Sequence, residues 1–144
     1  MKNYTQESYQ KDRDLQEELK GYKDSRKFED REQRDTYWDA YYRADAFLAG
    51  GQAAEAVKHN SIMNDRFLPW SGNHLDDNLA IFAGALVANG VGRFLLDTNQ
   101  STAFGKQLAG FAKAGWLITG VEEVDCNEFG VPAKKTYLVL QHVA

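Results

Sequence analysis

The side chains able to do chemistry are few and scattered. None of the three histidines, His59, His74 and His142, lies in a metal or nucleophile motif, and His74 has carboxylates close after it. His74-Leu75-Asp76-Asp77 offers an imidazole and carboxylate oxygens, a donor set that a divalent transition cation accepts. The same aspartates sit where a helix should begin, and a carboxylate there accepts hydrogen bonds from the first free amides of the helix. Capping explains the spacing without a metal. Cys126 lies beside Asp125 and Glu128, neighbours that do nothing to favour a thiolate nucleophile. A single cysteine also forms neither an intramolecular disulfide nor a multi-cysteine zinc site. Gly90-Val91-Gly92 lacks the Lys-Ser/Thr sequel of a phosphate-binding loop, and no G-x-S-x-G elbow occurs. With no positioned acid, base or nucleophile, the sequence predicts a non-enzymatic protein that needs no metal and no cofactor.

What remains is surface chemistry: aromatics and charges. Trp70, Trp116 and Phe129 are candidate protein-binding anchors, because aromatic side chains are over-represented among interface hot spots. Phe129 stands out by its place between Glu128 and Gly130, at the tip of an expected loop. The 144 residues carry a formal net charge of −4, and the charge is divided along the chain. Residues 1–45 hold 10 Lys/Arg and 12 Asp/Glu, leaving 7 and 9 for the rest. From Lys11 to Asp35 the signs alternate so finely that no block remains to steer a partner. That segment reads as one solvated helix, with a narrow stripe of Leu15, Leu19 and Tyr22 able to dock on a partner or a neighbouring subunit.

A chain of this length can bury a core of its own. Its longest uncharged run, Asn78 to Val91, is too short and too interrupted to span a bilayer. The polar start, Lys2-Asn3-Tyr4, carries no secretory signal, and the unpaired cysteine fits a reducing cytoplasm. Three regions are expected: a charged helical arm at 1–35, a helical subdomain at 36–72 and a compact domain at 73–144. Tyr37, Trp38, Tyr41, Tyr42, Ala44 and Leu48 form a wide apolar helix face that Gly50-Gly51 should end, with a second short helix over Ala53–Met63. Pro69 and Ser71-Gly72 mark a loop around Trp70. A helix from Asn78 to Ala88 is stopped at Asn89-Gly90. Val91–Leu96 reads as a strand, with a short helix as the alternative. Ser101-Thr102 caps a helix carrying Phe104, Leu108 and Phe111 that Gly115 terminates. Trp116–Val124 and Lys135–Leu140 form an antiparallel hairpin around an Asn127–Pro132 loop. The fold class is α+β, a mostly helical N-terminal half followed by a C-terminal β-hairpin.

Leu108-Ala109-Gly110-Phe111-Ala112-Lys113-Ala114-Gly115-Trp116-Leu117-Ile118 followed by Lys134-Lys135-Thr136-Tyr137-Leu138 resembles the winged helix-turn-helix superfamily over residues 76 to 140. There the third helix ends in a similar glycine-stopped corner and the wing returns with a basic residue before an aromatic one. The departure is at 90–101, where the family has its second helix and this chain reads as a strand. The resemblance implies a recognition helix over Thr102–Lys113, with Thr102, Lys106 and Lys113 on duplex DNA and Lys134, Lys135 and Arg93 extending the positive strip. Against this stand Glu122, Glu123, Asp125 and Glu128 on the outgoing strand and wing loop, since nucleic-acid affinity comes largely from phosphate neutralisation. Two partners are therefore expected of a small regulatory factor of this type: DNA or a DNA-handling complex, or, alternatively, a protein that it modulates or inhibits, as compact acidic proteins of phages and mobile elements do. The helical half predicts a homodimer or a hetero-complex.

Overall fold

The computed structural model describes residues 4–25, 28–59, 76–97 and 104–143. The element order is α1 (Gln6–Ser25), α2 (Arg31–His59), α3 (Asp76–Ala88), β1 (Arg93–Asp97), α4 (Phe104–Lys113), β2 (Trp116–Glu128) and β3 (Val131–His142). The fold is α+β, with the helical half first and a three-stranded antiparallel sheet of order β1-β3-β2 at the end.

The charged segment makes two helices rather than one. Asp30 begins α2: its Oδ1 accepts from the amide of Gln33, and the Gln33 side-chain oxygen accepts from the amide of Glu29. The first bond caps a free amide of the first turn, and the second ties the chain just before the helix back onto it. The arm is docked along its length. Asp12 is buried and takes both fork bonds of Arg43, at 3.0 Å from Nε and 2.9 Å from Nη2, while the Tyr4 hydroxyl donates to the same carboxylate at 2.7 Å. Phe47 of α2 packs against the rings of Tyr4 and Tyr9. The bonds that Arg43 donates to Asp12 favour its charged guanidinium. Burial, reinforced by the carboxylate it bonds, pushes the Tyr4 hydroxyl above its usual range. Leu15 and Leu19 share a shallow groove with Gln33 and Thr36 of α2, so the stripe faces a helix of its own chain.

Gly50 and Gly51 do not end a helix, and α2 runs on to His59 in place of the expected break and second helix. The reason is helix–helix distance. A Cβ on Gly50 would lie 2.6 Å from both the Phe82 carbonyl oxygen and the Ala85 Cβ of α3. Ala46, Ala53 and Ala54 on the same side are fully buried. The glycine is there for close approach, which leaves its helical hydrogen bonds intact. Gly110 does the same for α4, where a Cβ would collide with Leu79 of α3. The glycine thus serves helix packing. Terminating glycines do occur where the sequence placed them, at Gly90 (φ 85°) and Gly115 (φ 87°), both left-handed.

The core closes between the helices and one face of the sheet. Phe82, Leu86, Phe94, Leu96, Phe111, Trp116 and Leu140 form one buried cluster, with Phe94 stacked on Phe111 at 5.6 Å. Trp116, read as a possible interface anchor, is 2% exposed and donates its indole N–H to the Ala83 carbonyl at 3.3 Å. Side chains alternate across a strand, so Leu95, Tyr137 and Val139 make a second small cluster, with Val124 against it, on the opposite face. The strand expected over Val91–Leu96 is present as β1 from Arg93 to Asp97, paired with β3 from Arg93↔Gln141 to Asp97↔Tyr137.

Candidate interaction surface on the β-hairpin

β2 and β3 continue beyond the core as a long ribbon. The expected loop at Asn127–Pro132 is instead a two-residue turn, and pairing continues to Glu128↔Val131. Phe129 has φ 52° and Gly130 φ 79°. Positive φ at both central positions is the type I′ turn, whose twist matches that of the flanking strands. It favours Asn-Gly or Gly-Gly there, and an L-residue with a bulky side chain is strained in this region. Phe129 holds that conformation with its ring fully exposed, next to exposed Val131.

The register decides what the cations can do. Even-numbered residues of β2 from Gly120 to Glu128 share a face with Ala133, Lys135 and Tyr137, and odd-numbered ones from Val121 share a face with Pro132, Lys134 and Thr136. Lys134 and Lys135 therefore leave the ribbon on opposite sides. Lys134 lies across from Asp125 and makes an ion pair with Glu123 at 3.9 Å. Arg93, on the face of Lys135, forms a short ion pair with Glu122. Lys113 is at the far end, lining a cleft of about 730 Å³ with Thr5, Gly84, Asn89 and His142. Eight residues of β3 separate Lys134 from His142, about 26 Å along a strand, some three Debye lengths at physiological salt. Lys113 is therefore remote from Lys134 and Lys135, Arg93 is turned onto Glu122, and each ribbon lysine shares its face with acids. Lys106 lies on α4, its side chain outside the described residues, as are Thr102 and Trp70 altogether.

Among the described residues, no group of three or more His, Cys, Asp or Glu side chains is placed to hold a metal ion, and no helix is long and apolar enough to cross a membrane. His74 and the side chains of Asp76 and Asp77 fall outside that description. Cys126 is a free, half-exposed thiol on the ribbon. Two features of the ribbon escaped sequence reasoning, the tight turn and the cross-strand neutralisation. Glu128-Phe129-Gly130-Val131 carries a signal for the first, a glycine at the second turn position. The second depends on register, which residue types alone do not give. Comparisons with family models, with curated proteins and with solved structures return no match.

Proposed function

We propose that the protein is a small non-enzymatic factor of winged-helix type that works by binding another protein through the tip of its β-hairpin, as a cytoplasmic modulator or inhibitor. The observation that carries this reading is Phe129, a large apolar ring held fully in solvent on a strained backbone. Strain of this kind persists where it serves a site, and an exposed aromatic at the end of a rigid ribbon is a ready anchor for a partner's pocket. The winged-helix part of the reading is supported by the order helix, strand, helix, hairpin over 76–142 and by the antiparallel arrangement β1-β3-β2. A protein partner is favoured over duplex DNA because Arg93 is paired with Glu122, Lys134 and Lys135 leave the ribbon on opposite faces, and Glu123, Asp125 and Glu128 lie along the same ribbon, leaving little net positive charge for phosphate.

A photo-crosslinking phenylalanine analogue at position 129 should capture one discrete partner from the source cell. Phe129→Ala should weaken that complex by about 2 kcal/mol, roughly 30-fold. A duplex-DNA anisotropy titration at low salt should show no binding that charge reversal at Lys134 and Lys135 removes. If DNA binds with that dependence while residue 129 captures nothing, the protein-directed reading fails.

A further inference from the structure

We infer that the outer edge of β2, from Val121 to Asn127, is a docking site for an extended strand of a partner protein that alternates apolar with lysine or arginine residues. This rests on the reading that the hairpin faces a protein. β2 pairs with β3 on one side, and no strand of the described residues pairs with it on the other.

The turn fixes which backbone groups face outward. In a two-residue turn the flanking pair Glu128–Val131 is hydrogen-bonded, and hydrogen-bonded pairs alternate with non-bonded ones along an antiparallel ladder. Glu128, Cys126, Val124 and Glu122 therefore spend their N–H and C=O groups on β3, while Val121, Glu123, Asp125 and Asn127 point theirs outward. Pro132 agrees with this assignment: it faces Asn127 at a non-bonded position, where its missing N–H costs the ladder nothing. The irregularity between Ile118 and Gly120 sets where this free ladder begins, because a bulge re-aims the strand.

The side chains say what kind of strand fits. All four outward-facing residues place their side chains on one face, with exposed Val121 at one end and carboxylates at Glu123 and Asp125. Among the described residues, Asp125 and Glu128 have no ion-pair partner, and Glu123 has only the long contact to Lys134, both more than 60% exposed. A second copy of this chain is a poor occupant, since each would bring Glu122, Glu123, Asp125 and Glu128 to the same seam. Acids on an edge strand deter self-pairing, and the same charges select a cationic strand. Main-chain bonds then supply affinity, and alternate side chains supply specificity.

The test uses the full chain and two fluorescent eight-residue peptides, one alternating valine and lysine, the other valine and glutamate. The lysine peptide should bind, weaken with salt, and protect the amides of Val121, Glu123, Asp125 and Asn127 from hydrogen exchange; the glutamate peptide should not bind. Asn127→Pro removes one outward amide while keeping every acid and Phe129, and should weaken binding at least tenfold, as should Glu123→Lys with Asp125→Lys. Near-UV circular dichroism establishes that each variant is folded. Absence of binding, equal binding of the glutamate peptide, indifference to Asn127→Pro, or a homodimer that Asn127→Pro dissolves would each overturn the inference. Because crosslinking at position 129 does not depend on the Asn127 amide, capture there with an idle edge would sink this inference and leave the anchor reading standing.

Discussion

Phe129→Asn should make the protein more stable and a poorer binder at once. An L-residue in the left-handed region costs about 1–2 kcal/mol, and asparagine tolerates it far better, which is why Asn-Gly is the preferred sequence of this turn. The ring of Phe129 is fully exposed, so its removal forfeits no burial that could offset the relief. The expected gain is about 1 kcal/mol, a rise of roughly 2–4 °C in Tm for a chain of this size. Phe129→Ala supplies the control: it deletes the same ring without relieving the backbone, and should leave stability within about 0.5 kcal/mol. Calorimetry or urea unfolding of the three proteins reads the difference, and partner capture by the same variants should fall for both. If Phe129→Asn is neutral or destabilising, the turn is not strained at that residue, and no strain is there to serve binding.

Gly50→Ala and Gly110→Ala should each destabilise by about 1–3 kcal/mol, since a methyl group has no room against Phe82 and Ala85 or against Leu79; unchanged urea midpoints would contradict the close packing of α3. Asp12→Ala should cost about 2 kcal/mol through lost charge-assisted bonds, read as faster amide exchange confined to α1 and the α2 segment around Arg43; α1 exchanging as in the parent would refute the docked arm. Tyr4 resists ionisation in the fold relative to the ordinary value of 10.0, so its contribution is complete below pH 10 and is lost as the pH climbs above it. Tyr4→Phe should therefore flatten the alkaline decline in Tm, and a parallel decline in both proteins would show that Tyr4 is not the group responsible.

The parts of the fold readable in the sequence are those set by local chemistry. Gly90 and Gly115 stop helices because a left-handed cap leaves no other cheap choice, and Phe82, Leu86, Phe111 and Leu140 follow the periods of the elements that bury them. Gly50-Gly51 misled because a glycine that ends a helix and one that admits a neighbouring helix look alike until the neighbour is known. Asp12 and Arg43 lie 31 residues apart in a segment rich in both signs, so nothing local singles out the pair that anchors the arm. At the candidate site, Phe129 was visible from its neighbours. The fate of the cations was not, because Lys134 meets Glu123 and Arg93 meets Glu122 only through strand register.

The position of β3 in the sheet has a consequence for synthesis. It is the central strand, and β1 and β2 pair with it and not with each other, yet it follows both in the chain. On the ribosome neither can be satisfied when it emerges. α2 already covers one side of Phe82 and Leu86, but the side that the sheet closes, together with Phe111, stays open for the several seconds that the intervening stretch takes to translate. During that interval a chaperone meets a surface the finished molecule no longer shows. Synonymous codons that slow elongation between β1 and β3 would lengthen that exposure and lower the soluble yield without altering a single residue.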